Sequence, residues 1–115
     1  MDDKMKETLK PFFWVEHDSS VSLCLNVSEF KAEVFDSRAD EGFEGNGYDW
    51  GSLIRVYMHE KTPHLAEDID FDPEADMFVA YSKNPAALEE FALGLRAMCD
   101  DDDLIMDLFS RAEID

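Results

Sequence analysis

Val21-Ser22-Leu23-Cys24-Leu25-Asn26-Val27 decides the fold class. Val21, Leu23, Leu25 and Val27 fall on one side of the run, and Ser22, Cys24 and Asn26 on the other. An extended chain sends successive side chains to opposite faces, so this alternation predicts a half-buried strand. Upstream, Phe12-Phe13-Trp14-Val15 predicts a second strand, because aromatic and β-branched side chains suit a pleated surface. Asp18-Ser19-Ser20 supplies the turn between them. Downstream, Phe30, Ala32 and Val34 resume the alternation against Lys31 and Glu33. That predicts a third strand and an antiparallel meander.

Farther along, Asp68 to Asp72 alternates acid and apolar residues, with Ile69 and Phe71 on the apolar side. Pro73-Glu74-Ala75-Asp76 reads as a turn and Met77 to Tyr81 as a strand, so the pair predicts a hairpin. Between the two groups of strands, Trp50, Leu53, Ile54, Tyr57 and Met58 recur at helical spacing. Asp49 is the expected N-cap, and Pro63 stops the helix near Lys61. Asn84-Pro85 marks another helix start, with Leu88, Phe91, Ala92, Leu95 and Met98 as its buried stripe. Asp100 to Asp103 breaks it, and Leu104, Ile105, Leu108, Phe109 and Ala112 outline a last helix. Residues 1–10 are a polar lead. The expected architecture is α+β: an antiparallel sheet of about five strands with three helices packed mainly on one face. One domain is expected across residues 1–115, since no repeat or linker divides the chain.

The chain carries 28 Asp and Glu against 10 Lys and Arg, a formal net charge of −18 in 115 residues that are 45% apolar. A disordered acidic tail lacks the apolar residues for a core. This chain has them, so a folded domain bears a strong negative field. Such a field repels nucleic acid and anionic membrane, and it speeds the arrival of basic partners. Direct nucleic-acid binding requires a positive footprint, and the sparse Lys and Arg are interleaved with acids. No run approaches the roughly 20 apolar residues of a membrane span. The N-terminus is broken by Asp2, Asp3 and Glu7, unlike a secretory signal. Cys24 and Cys99 both lie in apolar-patterned segments, so buried free thiols and a cytoplasmic setting are expected.

Asp68, Asp70, Asp72 and Asp76 resemble a calcium loop only superficially, because Pro73 stands where the EF-hand glycine belongs and Val79 where its last acid belongs. His59 and His64 are five apart with Pro63 between them, which does not fit the helical pair of a zinc hydrolase. Gly42, Gly45 and Gly47 lack the order of a phosphate cradle and lie among acids. No serine, and neither cysteine, is linked to a base. No metal or other cofactor is expected. The glycine-rich segment of residues 36–49 instead reads as a sharp turn leading into a capped helix, or as a loop that presents Phe43 and Glu44 to a partner.

Gly45-Asn46-Gly47-Tyr48-Asp49-Trp50 with its helix, and Asp70-Phe71-Asp72-Pro73-Glu74-Ala75-Asp76-Met77-Phe78, form an ordered pair of blocks ahead of the final acidic helices. Together they resemble the immunity protein 51 family of bacterial polymorphic toxin systems, over roughly Trp14 to the end. The resemblance implies a small cytosolic α+β protein that binds and neutralises a toxin encoded beside it, with no catalytic residues to carry over. Gly47, Tyr48, Asp49 and Trp50 match the family motif, as toxin contacts or as fixtures of the loop and helix, with Trp50 expected in the core. The acidic field suits a basic toxin. The expected partner-binding residues are first Asp40, Glu41, Phe43, Glu44 and Tyr48 in the loop, with Phe43 and Tyr48 as aromatic anchors, and second the edge of Asp68, Asp70, Asp72 and Asp76. Two other readings stand beside this one: an acidic adaptor for some other basic protein, and a small enzyme assembled from distant residues such as His17, His59 and Asp49.

Overall fold

A computed structural model describes residues 2–114. It is α+β, as expected, but with four strands and five α-helices. Helix α1 (Asp3–Leu9) leads into β1 (Phe13–Glu16) and β2 (Val21–Asn26). Helix α2 (Ala32–Asp36), a 3-10 turn (Ala39–Glu41) and the long α3 (Gly47–Lys61) follow. A second 3-10 turn (Pro63–Leu65) precedes β3 (Asp70–Phe71) and β4 (Met77–Ser82). Helices α4 (Pro85–Asp100) and α5 (Asp102–Phe109) complete the described chain.

The sheet runs β1-β2-β4-β3, antiparallel throughout. The two predicted hairpins are both present, and they join through β2 and β4. Leu23 stands opposite Trp14 on one side and Ala80 on the other. The meander therefore ends after two strands, and the third neighbour of the group comes from far along the chain. The expected strand at residues 30–34 is instead a turn at residues 30–31 followed by the start of α2. Val34 and Phe35 are adjacent and both buried, which a strand cannot arrange against a one-sided core but a helix can.

The core takes Val21, Leu23, Leu25, Phe78 and Ala80 from one face of the sheet and the inward stripes of the helices. Its aromatic residues interlock. Trp50 lies parallel to Phe30 at 6.0 Å, edge-on to Phe12 at 6.1 Å, and tilted against Phe35 at 5.1 Å. Phe35 continues to Phe109 at 5.1 Å, and Phe109 to Phe43 at 4.9 Å. A second row runs from Tyr57 through Phe91 and Phe71 to Phe78. The N-terminal lead is more than a polar tail. Asp2 caps α1 by accepting from the Met5 amide at 2.8 Å, and Leu9 is buried.

The helix starts follow their capping residues. Asn84 accepts from the Ala87 amide and Asp101 from that of Leu104. Helix α3 is capped by Asn46, whose side chain accepts from the Asp49 amide at 2.9 Å. Asp49, expected as the cap, is the third residue of the first turn. Both are good capping types, and the local sequence does not choose between them. Cys24 and Cys99 are buried free thiols. Burial pushes the Cys99 thiol up to about 12 and raises that of Cys24, so neither is ionised at neutral pH.

Candidate functional site

The two sequence blocks that carry the family resemblance meet in space. Gly47, at the first position of α3, donates its amide to the Ala75 carbonyl at 3.2 Å. A Cβ on Gly47 would fall 1.8 Å from the Glu74 carbonyl oxygen and 2.5 Å from that of Met77. Only a residue without a side chain allows the start of α3 to sit against the β3–β4 turn. Gly51, one turn on, lies over Pro73 and Phe78 with ordinary spacing. Asp49 is buried, and its Oδ2 accepts from the amides of Glu44 at 2.7 Å and Gly45 at 2.8 Å. Trp50 is in the core. Of Gly47, Tyr48, Asp49 and Trp50, three hold the loop and helix together, and Tyr48, 43% exposed, faces out.

Asp49→Ala is expected to cost about 2–4 kcal/mol, because two backbone donors lose a charged acceptor. Asp49→Asn, which keeps an acceptor oxygen, should lose roughly half as much. Urea unfolding followed by tryptophan fluorescence measures both. An alanine variant as stable as the native chain would contradict this role.

The loop expected to present anchors is tied down at its other end. Arg38 donates from Nη1 to the carbonyls of Phe109 at 2.6 Å and Ala112 at 2.8 Å. Its remaining nitrogens hold Glu41 at 2.8 and 2.9 Å, and its guanidinium lies over the rings of Phe43 and Phe109. The hydrogen bonds from Arg38 keep the Glu41 carboxyl below its ordinary range. Phe43 is only 3% exposed, so the expected surface anchor is a core residue. Gly42 and Gly45, both at positive φ, fold the loop back so that Phe43 reaches Phe109. Asp40, Glu44 and Tyr48 stay at or near the surface.

The second expected group divides between the two ends of the β3–β4 hairpin. The Asp68 carbonyl accepts from the Ser82 hydroxyl, and Asp70 pairs in register with Tyr81. At the other end the Asp72 amide donates to Val79, and the Asp76 carbonyl accepts from Val27. Asp76 thereby lies beside the loop of the first group, near Gly47. None of Asp68, Asp70, Asp72 and Asp76 forms an ion pair among the described residues. The acids packed with the helices differ. Arg111 holds Glu60 at 2.7 Å and Asp107 at 2.9 Å, and its hydrogen bonds lower both carboxyls. Arg96 holds Asp100 at 2.8 Å.

The sheet has a second face. Strand register places Phe13, Cys24 and Val79 in one row, and Val15, Ser22, Tyr81 and Asp70 in the next. None of these side chains belongs to the core. Phe13 is 38% and Tyr81 39% exposed. Ser22 and Cys24 are buried beneath these larger neighbours, and His17 Nε2 lies 3.0 Å from the Ser22 hydroxyl. Tyr81 and Asp70 also line an open depression of about 540 Å³ with Glu67, Asp68, Ser19 and Lys83.

His17, His59 and Asp49 occupy different surroundings. His17 is over the sheet, Asp49 is committed to two amides, and His59 lines a shallow depression with Arg55, Glu60 and Arg111. No helix of the described residues is long and apolar enough to cross a membrane.

Neither the curated proteins nor the solved structures contain a match to this chain. The family model described as Immunity protein 51 matches residues 12–114. That span contains both converging blocks, all four strands, and every helix after α1. With the match extending over nearly the whole length, the chain belongs to the immunity protein 51 family.

Proposed function

We propose that this protein binds and neutralises a cognate toxin of basic character, as a stoichiometric inhibitor without turnover. Membership of an immunity family across residues 12–114 carries the reading. The formal charge of −18 supports the basicity of the partner. Opposite fields raise encounter rates, while release is governed by buried contacts. The surface acids that form no ion pair among the described residues, Asp40, Glu44, Asp68, Asp70, Asp72 and Asp76, supply that field. Glu41 contributes less, because Arg38 already holds it. Tyr48 is the exposed aromatic of the loop and remains a candidate contact.

The test is direct. The chain and the toxin domain encoded beside its gene should elute together as a 1:1 complex. Their association rate constant should approach about 10⁸ M⁻¹s⁻¹ at low salt and fall by about tenfold or more toward physiological ionic strength. A rate insensitive to salt would contradict the electrostatic part, and failure to form the complex would contradict the whole.

A further inference from the structure

We propose that the open face of the sheet is the docking surface for the toxin, and that it receives an apolar patch ringed by lysine and arginine. This rests on the neutralisation reading and adds where the partner sits.

The face is apolar where it need not be. A sheet with helices on one side and water on the other alternates apolar and polar residues. Here Phe13 and Val15 alternate with the inward Trp14, and Val79 and Tyr81 with the inward Phe78 and Ala80. Both sides of β1 and β4 are therefore apolar, although the core uses only one. Between the two strands, the small side chains of Ser22 and Cys24 form a floor, with His17 against its Ser22 end. Phe13 and Val15 stand on one side of it, Val79 and Tyr81 on the other. Adjacent strands are about 4.8 Å apart, so the trough is about two strand spacings wide. A side chain or short segment of a partner fits it. Phe13 and Tyr81 are the aromatic type that dominates binding energy when buried at the centre of an interface.

Charge selects the occupant. Asp70 stands next to Tyr81 in its row, and Glu67 and Asp68 share the adjoining depression. Asp76 lies at the other end, where its carbonyl receives Val27. These four acids have no ion-pair partner among the described residues, and Lys83 is the cation lining that depression. An apolar centre with an unpaired acidic rim matches the usual anatomy of an interface whose other half is basic. A second copy of this chain fits poorly, since it would bring a like rim and a like net charge of −18 against the first.

The experiment uses the full chain and the toxin domain encoded beside its gene. Phe13→Ser with Tyr81→Ser should weaken the dissociation constant by about 100-fold or more, with the melting temperature little changed. Leu93→Ser with Met106→Ser removes two exposed apolar residues of the helices and should leave binding within about threefold. In the unaltered chain, side-chain NMR resonances of Phe13, Val15, Val79 and Tyr81 should shift on complex formation, which covers the case of a poorly folded variant. Binding unchanged by the sheet substitutions, or shifts confined to α3 and α5, would overturn the docking surface and leave the neutralisation reading intact. No binding by the unaltered chain would overturn that reading and this inference together. A homodimer of the free chain with Phe13 and Tyr81 at its interface would also overturn the inference, because the occupant would be a second copy.

Discussion

Gly47→Ala is expected to yield a chain that does not hold its native fold at ambient temperature, while Gly51→Ala folds normally. The two residues are a turn apart on the same helix, so propensity favours alanine at both, by about 1 kcal/mol. What differs is the neighbour. At Gly47 the added methyl would lie 1.8 Å from one backbone carbonyl oxygen and 2.5 Å from another. Backbone cannot rotate away as a side-chain tip can. The helix start and the β3–β4 turn must separate, with loss of the bond from the Gly47 amide to Ala75. A cost above about 4 kcal/mol places the change among the exceptional ones, and it is a large fraction of the total stability of a small domain. At Gly51 the methyl would meet the Pro73 side chain at 3.4–3.5 Å, which is ordinary contact. Circular dichroism melts of the two variants decide the matter. A Gly47→Ala chain that melts with the native protein would show that the two family blocks do not meet as described.

Trp50→Ala should remove about 3–5 kcal/mol, the range for deleting a large buried aromatic side chain. Its ring joins three separate parts of the chain: Phe12 before β1, Phe30 before α2, and Phe35 within α2. The void would be shared among all three, and their rings are too stiff to fill it. Trp50→Phe should retain more than half of the stability lost to alanine. It should also bind the toxin as the native chain does, because a residue 2% exposed cannot touch a partner. Denaturant titration gives the stability and a binding assay the affinity. A Trp50→Phe variant that is stable but fails to bind would assign this position to recognition rather than to packing.

The long periodic elements were legible from the residues. Trp50 to Met58 and Leu88 to Met98 show a helical stripe over several turns, and both stripes are buried. Val21 to Asn26 and Met77 to Ser82 form the two central strands. Short segments were not legible in the same way. Phe30-Lys31-Ala32-Glu33-Val34 fits period two, yet it also fits one helical turn, and over five residues the periods cannot be separated. Phe35, next to Val34 and equally buried, favours the helix.

The candidate surface was legible in part. The density of acids was plain, and Arg38 with Glu41, Arg96 with Asp100 and Arg111 with Asp107 are compensated at helical spacing, but the pairing of Arg111 with Glu60 is made only by the fold. Phe43 stood among charged residues and glycines, so it read as exposed, and its partners Phe109 and Arg38 are distant or on another element. The open face of the sheet was hidden for a related reason. Ser22, Cys24 and Asn26 made the outer side of β2 read as polar and solvent-facing. The apolar residues of that face are on β1 and β4, and only the register brings Phe13, Val15, Val79 and Tyr81 around it. The signal available beforehand was that both flanking strands are apolar at consecutive positions, as buried or docked strands are.

A titration of the toxin's activity with this protein separates stoichiometric inhibition from turnover. Residual activity should fall in a straight line to zero at one equivalent, with no further effect of incubation time. Loss of activity at a small fraction of an equivalent, progressing with time, would reveal turnover and contradict stoichiometric inhibition.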